Sequence, residues 1–132
     1  MSSNPASSVT NGIRVNVLTS YVEDESSPKH SYFVFLYQVE ICNESDREVQ
    51  LLSRKWVIVD GLGQKRIVEG DGVVGKQPLL APGESHKYVS GSHFSTQVGM
   101  MTGQYKMRDI SSGAEFWVEI PAFTMQIPHI SN

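Results

Sequence analysis

Apolar and polar residues alternate along much of the chain with a period of two. In the segment 13–21, apolar side chains stand at positions 13, 15, 17 and 21, and most residues between them are polar. Successive side chains of a β-strand point to opposite faces of the sheet, so this pattern predicts a strand with one buried face. The segment 33–41 begins apolar on both faces and becomes polar on one face only at Gln38 and Glu40. It is predicted to be a central strand.

Further segments have the same strand character and are separated by turn-forming residues. They are 49–60, 64–69, 85–90, 102–108 and 115–127. No window of eleven residues has helical periodicity, and no apolar run is long enough to span a membrane. About seven short strands at this spacing predict an all-β fold, an antiparallel β-sandwich of the fibronectin type III or immunoglobulin-like type. A Greek-key barrel is the structural alternative.

The last of these segments changes phase at a proline. Its apolar residues fall on even positions up to Ile120 and on odd positions from Phe123, with Pro121 between them. A shift of one residue beside a proline is what a β-bulge or an edge-strand kink produces. We therefore expect the last strand to bend, with a crossing from one sheet to the other as one form of that bend.

The chain has 132 residues, the length of a single domain that buries about two-thirds of its unfolded surface. We assign residues 13–127 to this domain, residues 1–12 to a flexible N-terminal tail and residues 128–132 to a C-terminal tail. The N-terminal tail is assigned because the composition before Ile13 is rich in Ser, Asn and Thr and offers almost no apolar side chain for burial. The end of the strand pattern at Ile127 favours a complete small protein.

The charge and the cysteine count narrow the possible partners. The formal net charge is −3 and the lysines and arginines are scattered, so neither a nucleic acid nor an anionic membrane is an expected partner. The single cysteine, Cys42, cannot form an internal disulfide. The first residues lack the charged and apolar regions of a signal peptide. Together these features predict a cytoplasmic protein.

The string Gly70–Gly75, GDGVVG, has the G-x-G-x-x-G spacing of a dinucleotide-binding loop. In that loop the glycines lead from a strand into a helix whose N-terminus faces the pyrophosphate. Here the string is followed by residues 76–83, whose two prolines and glycine cannot sustain a helix. The favoured interpretation is structural, with glycines that permit a positive φ or a close crossing of strands.

An anion site without a helix is the alternative interpretation of this loop. Backbone N–H groups could form a nest for a nucleotide or pyrophosphate, assisted by a lysine of the loop or by Lys65. Asp71 argues against such a nest, because a carboxylate repels phosphate unless a metal ion stands between them. Under this alternative, Glu69 and Asp71 are weak candidate ligands for Mg²⁺ or Co²⁺. Otherwise no cofactor is expected. The candidate loop residues are Gly70, Gly72, Gly75 and Lys76.

Catalytic constellations are absent from the sequence. The four histidines fall in separate segments, and no serine lies in a G-x-S-x-G elbow. No catalytic residue is therefore assigned, and we lean against an enzyme. Arg54 and Trp56 share a strand face, so the cation and the ring could stack, although a core position is favoured for Trp56. Trp117 opposes the face of Phe116 and is expected to be exposed. The candidate interaction surface consists of Arg54, Trp56 and Trp117.

Several spaced elements occur in a fixed order along the chain. They are Tyr32–Tyr37, Asn43, Arg54-x-Trp56-x-Ile58-x-Asp60, Glu69–Pro78, Leu80–Ser85, Gly99–Met107 and Ile120-Pro121-x-Phe123. Taken together, from about Val15 to Ile127, they resemble the ApaG family, although that family more often has an acidic residue at position 76. The resemblance implies a fibronectin type III-like sandwich, found alone in bacteria and as a C-terminal domain of some F-box and polymerase-associated proteins. It also implies a context of diadenosine tetraphosphate metabolism and of cobalt and magnesium sensitivity, without a settled activity.

A sandwich without assembled catalytic groups is predicted to be a non-catalytic binding module. We expect a protein partner, held by a sheet face, an edge strand or the loop 70–83. The alternative function is nucleotide or pyrophosphate binding by the loop Gly70–Gly75 with a divalent metal. Because the edge strands of a sandwich must be paired, covered or guarded, a homodimer formed through an edge strand is a third hypothesis.

Overall fold

The chain folds into two antiparallel β-sheets packed face to face. A computed structural model describes residues 5–128, so the predicted tail 128–132 lies outside the described residues apart from Pro128. Two single-turn 3₁₀ helices, Glu23–Glu25 and Pro28–His30, lie between the second and third strands. Among the described residues, no helix has the length and apolarity that crossing a bilayer requires. The strands are β1 Ala6–Thr10, β2 Ile13–Tyr21, β3 Phe33–Asn43, β4 Val49–Asp60, β5 Lys65–Asp71, β6 Leu79–Leu80, β7 Ser85–Phe94, β8 Val98–Asp109 and β9 Glu115–Gln126.

The strand order defines a sandwich. One sheet has the order β1-β2-β3-β7, and the other has the order β5-β4-β8-β9 with the short β6 paired to β4. The all-β antiparallel sandwich predicted from the alternating pattern is confirmed, and the two sheets do not close into a barrel. The short strands β1 and β6 bring the total to nine among the described residues, compared with the seven or so expected.

The inner faces of the two sheets form the hydrophobic core. Val17 on β2 pairs with Val39 on β3, and both are almost completely buried. Directly opposed residues share a face, so the odd positions of both strands point inward, as the alternation predicts. Between the sheets, the ring of Trp56 lies edge-on to the rings of Tyr37 and Phe123, with centroid distances of 5.5 and 5.9 Å. Trp56 is 3% exposed, in the core position that the sequence favoured.

The last strand contains the irregularity expected at Pro121. Its register with β8 shifts, so that Ile120 pairs with Gly103 and Phe123 pairs with Met101. The extra residue on β9 rotates the strand, and both Ile120 and Phe123 are therefore buried although they are three positions apart. β9 stays within one sheet along its whole length, so it does not cross to the other sheet.

The flexible tail predicted over residues 1–12 includes residues 1–4, which lie outside the described residues, and from Ala6 onward the structure differs from this prediction. Residues Ala6–Thr10 form β1, which pairs with β2. Asn11 and Gly12 join the two strands with φ angles of 50° and 80°, and two successive positive φ angles are what a type I′ hairpin turn requires. The segment lacks a buried apolar face because it is an edge strand, and its backbone pairing rather than its periodicity makes it a strand.

One long side of the sandwich, which we call the closed side, is where β1 lies against β9. The Ser8 hydroxyl donates a hydrogen bond to the carbonyl of Glu119 at 3.1 Å. The amide of Glu119 donates to the Thr10 hydroxyl, also at 3.1 Å. Both bonds join an edge strand of one sheet to an edge strand of the other. They satisfy backbone groups that an edge strand otherwise leaves unpaired.

The opposite long side, which we call the open side, ends in β5 and β7. These are the outermost strands of their sheets, and no other strand of the described residues pairs with their free edges. Side chains are exposed along most of β5. Inside the sandwich, the hydroxyls of Tyr88 on β7 and Tyr105 on β8 share a hydrogen bond. The open side is therefore joined from within the core and not along its edges.

Candidate functional site

A cleft of about 340 Å³ opens between β5 and β7 on the open side. Its floor consists of core side chains, Tyr37, Trp56 and Met101, which are almost completely buried. Its walls come from β4 and β5 of one sheet and from β7 of the other. An apolar floor between two polar walls is the usual composition of a binding site. The other lining residues are Arg54, Ile58, Arg66, Val68 and Ser90–His93.

Arg54 enters the cleft because it lies two residues before Trp56 and shares its face of β4. Gly70 on β5 lies directly opposite Arg54 in the strand register. A Cβ atom at Gly70 would lie 2.8 Å from Nη2 of Arg54, so the glycine leaves the space that the guanidinium occupies. Nη1 of Arg54 donates to the carbonyls of Asp71 and Gly72, each at 2.9 Å.

The strand β5 contributes two more side chains to the same wall. In its register with β4, Val68 lies opposite Trp56 and Arg66 lies opposite Ile58. Directly opposed residues project to one face, so Arg66 and Val68 join Arg54 along one wall of the cleft. Among the described residues, neither arginine forms a salt bridge. This wall therefore carries two positive charges without a carboxylate partner in the described fold.

The facing wall is the edge of β7. Ser90 lies opposite Tyr37 in the register with β3, and Ser92 shares its face, so both hydroxyls face the cleft. His93 alternates to the other face, where its ring centroid lies 5.3 Å from that of Tyr32. This wall offers hydroxyl groups and a strand edge rather than a charge.

Two buried phenols lie near Arg54. Burial raises the pKa of Tyr88 and that of Tyr105 well above the ordinary value for a phenol, and the positive charge of Arg54 opposes this rise. Both phenols therefore stay neutral at physiological pH. Partial burial, followed by the charge of Lys76, lowers the pKa of His86 on β7. These groups are neutral near pH 7 and leave the arginines as the charged groups of the cleft wall.

The cleft does not bring a nucleophile together with a base. Activation of a serine needs a base within hydrogen-bond reach. In residues 5–128, the one hydrogen bond between a serine and a histidine joins Ser27 to His30 at 2.7 Å, in an exposed turn outside the cleft. The hydroxyls of Ser90 and Ser92 have no such partner. Binding to the apolar floor, the guanidinium groups and the hydroxyls is the chemistry that this arrangement supports.

The string Gly70–Gly75 forms the end of β5 and a tight turn. Val73 and Lys76 exchange two backbone hydrogen bonds of 2.8 and 3.0 Å across the pair Val74-Gly75, whose φ angles are 47° and 75°. Two residues with positive φ between such bonds match a type I′ turn. The Gly72 amide donates to a carbonyl of β4 at 2.9 Å. Three amides of the loop region are therefore paired with carbonyl groups and do not converge on an anion.

The weak metal candidates lie on the other face of β5. Glu69 is opposite Lys55, and Asp71 is opposite Ser53. Both carboxylates are exposed, and neither faces the cleft. Within the part of the chain that the structure describes, no group of three or more His, Cys, Asp or Glu residues is placed to hold a metal ion. Within residues 5–128, the fold therefore adds no third His, Cys, Asp or Glu ligand to these two carboxylates.

Trp117 lies on β9, three strands away from β5 in the same sheet. Its side chain is 42% exposed, and Nζ of Lys106 lies 5.4 Å from its ring centroid. Lys106 also forms a salt bridge with Glu115 at 3.3 Å. Trp117 is therefore exposed, as expected, and stacks with a cation of its own fold. The structure places Arg54 and Trp56 together in the cleft and Trp117 on a separate surface.

Comparisons with known proteins identify the family. The family model described as the ApaG domain matches residues 23–109. The chain belongs to the ApaG family. Protein ApaG of Methylobacterium radiotolerans is 50% identical over 121 residues, which cover 92% of each chain. Protein ApaG of Vibrio cholerae is 45% identical over 120 residues, which cover 91% of this chain and 94% of the relative.

A solved structure has the same fold. The crystal structure of a Bordetella pertussis protein matches with a TM-score of 0.85 and 39% sequence identity, over 93% of this chain and 96% of the other. The resemblance to the ApaG family that the spaced elements indicated is thus confirmed. All residues that line the cleft fall between positions 37 and 101, so the matched ApaG domain contains the whole cleft.

The sequence pattern does not indicate Arg66, Val68, Ser90 or Ser92 as parts of the site. The turn signal Asp60-Gly61 could have placed Arg66 on the face of Ile58, once the hairpin register was known. On β7, Ser90-Gly91-Ser92 puts small polar residues where a buried face would carry apolar side chains. Such an interruption indicates that the strand faces an opening and not a closed core.

Proposed function

We propose that this chain is a non-catalytic binding module that holds an extended segment of a protein partner in the cleft on its open side. The observation that carries the proposal is that the free edges of both sheets border one cleft with an aromatic floor. An exposed strand edge can add a further strand through main-chain hydrogen bonds, while pockets beside it receive alternate side chains. Buried aromatic residues are the usual anchors of such interfaces.

The scaffold and compartment fit this role. We take the sandwich to be of the fibronectin type III type, a scaffold on which binding surfaces can vary without changing the core. The single cysteine, Cys42, is half-buried and free, which suits a reducing cytoplasm. The ApaG family context suggests that a partner protein should be sought among proteins of diadenosine tetraphosphate metabolism.

The test is selection of peptides from a random library displayed on phage, with the purified protein as bait. Ser90→Tyr fills the cleft from β7, and Val89→Tyr adds the same ring to the opposite face of the same strand. We expect selected peptides to bind the wild type and V89Y and to lose binding to S90Y. Failure to select any peptide, or equal binding to S90Y and V89Y, would overturn the proposal. Circular dichroism and urea unfolding establish that both variants are folded.

A second copy of the chain is the competing occupant, through pairing of free edges. Light scattering of the wild type and S90Y distinguishes it from a peptide partner. A monomer at all concentrations supports the binding of a separate protein. A dimer that S90Y dissociates would instead assign the cleft to self-association.

A further inference from the structure

We infer that the segment held in the cleft has the pattern acidic-x-apolar-x-acidic in an extended conformation, an inference that rests on the proposed function. The pattern follows from the wall formed by β4 and β5. Along this wall, a cation, an apolar patch and a second cation follow one another in register. The three positions are Arg54 opposite Gly70, Trp56 opposite Val68, and Arg66 opposite Ile58.

The spacing of the two cations matches an extended peptide. Gly70 and Arg66 are four residues apart on β5, which is about 13 Å along a strand. An extended partner covers the same distance in four residues, and side chains at i, i+2 and i+4 project to one face. An acidic residue at each end therefore reaches one arginine. The middle residue meets the apolar patch of Trp56 and Val68.

Arg54 supplies the electrostatic reason for an acidic residue. Its guanidinium is half-buried, and Nη1 donates to two neutral carbonyl groups, those of Asp71 and Gly72. A partly desolvated cation without a counter-charge favours a carboxylate ligand, which the remaining N–H groups can bind. Since Nη1 is already occupied, one carboxylate fits the free donors better than a phosphate with three acceptor oxygens.

The other charged groups nearby do not cancel this preference. Glu69 and Asp71 project to the opposite face of β5, away from the cleft. At the far end of the cleft, Asp60 accepts hydrogen bonds from the amides of Leu62 and Gln64, each at 2.9 Å. One oxygen of this carboxylate therefore holds the turn after β4, and among the described residues neither oxygen lies within salt-bridge distance of Arg66. The chain as a whole is acidic, so the attraction is local to this wall.

The test uses three synthetic peptides labelled with fluorescein and measured by fluorescence anisotropy. The first is Thr-Glu-Thr-Leu-Thr-Glu-Thr, the second replaces both glutamates by glutamine, and the third replaces leucine by serine. The pattern is symmetric, so it fits the cleft in either direction. We expect the first peptide to bind more tightly than either of the others. Its advantage over the glutamine peptide should shrink in high salt.

Variants locate the acidic residues. Arg66→Gln should weaken binding of the glutamate peptide about 3- to 10-fold and leave the glutamine peptide unchanged. Lys65→Gln is the matched control, because Lys65 is opposite Val59 and projects away from the cleft. Arg54→Gln should have an effect at least as large. Since it also removes the bonds to two loop carbonyls, its stability must be measured alongside.

A charge exchange gives the sharpest outcome. Two further peptides each replace one of the two glutamates by lysine. The variant Arg66→Glu should bind one of these two peptides more tightly than the wild-type protein does. Equal affinity of the wild type for the glutamate and glutamine peptides would overturn this inference. If S90Y then abolished that binding, the proposed function would survive. Failure of every peptide to bind, together with failure of the library selection, would overturn both.

Discussion

The edge strands are covered on one long side of the sandwich and free on the other. On the closed side, β1 covers the boundary between the sheets, and Ser8 and Thr10 bond to the backbone of Glu119 on β9. On the open side, β5 and β7 keep their outer edges free, and the sheets are joined inside the core by the hydroxyls of Tyr88 and Tyr105.

The difference shows where this fold tolerates exposure. A free strand edge invites pairing with other chains, so most proteins cover or charge it. Here a short strand without a strong apolar face covers one side. The other side carries exposed charged residues on β5 and a cleft with an aromatic floor. Coverage on one side and accessibility on the other fit the binding module proposed above.

The largest expected difference between the sides concerns burial. Val118 on β9 is 0% exposed and Val68 on β5 is 39% exposed. We expect Val118→Ala to lower the free energy of unfolding by about 2–3 kcal/mol, because it leaves a cavity, and Val68→Ala to lower it by about 0.5 kcal/mol. Urea unfolding of both variants measures the two values. Equal losses would mean that the open side is as tightly packed as the closed side.

The next effect separates two glycines of the string Gly70–Gly75. Both Gly72 and Gly75 have positive φ. A Cβ atom at Gly72 would lie 2.3 Å from the carbonyl oxygen of Lys76, whereas a Cβ atom at Gly75 would have no heavy atom of another part of the described chain within 4 Å. Gly72→Ala should cost about 2 kcal/mol of stability and Gly75→Ala about 1 kcal/mol. Thermal unfolding can rank the pair. The reverse ranking would contradict the described turn.

A smaller effect tests the hydrogen bonds of the closed side. Thr10→Val keeps the shape of the side chain but removes the acceptor for the Glu119 amide. We expect a loss of about 1 kcal/mol and faster hydrogen exchange of that amide. Ser90→Ala on the open side is the control and should change neither quantity. Unchanged exchange in the Thr10 variant would show that β1 does not hold β9 in solution.

The hydrogen bond between the hydroxyls of Tyr88 and Tyr105 should make stability depend on alkaline pH. Because burial raises the pKa of Tyr88 and Tyr105 in the folded state, their contribution to stability is complete below the unfolded value near pH 10 and decreases as the pH rises above it. Melting temperatures measured from about pH 8 to about pH 12 should fall more steeply for the wild type than for the double variant Tyr88→Phe/Tyr105→Phe. Parallel curves would place the ionising groups elsewhere.

The smallest expected effect is that of a nucleotide on the glycine string. Diadenosine tetraphosphate with Mg²⁺ should produce no saturable shift in the amide resonances of Gly72, Val73 and Lys76, because these groups already donate to carbonyl oxygens. Two-dimensional NMR of labelled protein measures this directly. Saturable shifts at these amides would revive the nucleotide alternative and place its site at the end of β5.

Much of the fold could be predicted from the sequence because burial on one face imposes alternation. The pattern in β3 identified a central strand, and the phase change at Pro121 identified the bulge in β9. The strand β1 could not be found in this way, because an edge strand of small polar residues depends on its neighbours. The dipeptide Asn11-Gly12, a hairpin signal, was the available clue.

The site was less accessible to sequence reasoning. Arg54 and Trp56 could be placed on one face, since two residues on one strand determine their own geometry. The contributions of Arg66 and Ser90 depend on which strands lie at the sheet edges. Strand order is set by connections that cross between the sheets, and local periodicity carries no information about them.

The position of β1 has a practical consequence for experiments. Strand β1 and strand β7 lie at opposite edges of the same sheet. A fluorophore, affinity tag or surface linker attached to β1 therefore lies at the edge of this sheet farthest from Ser90. A sensor chip that captures the protein through this edge would display the cleft toward the solution.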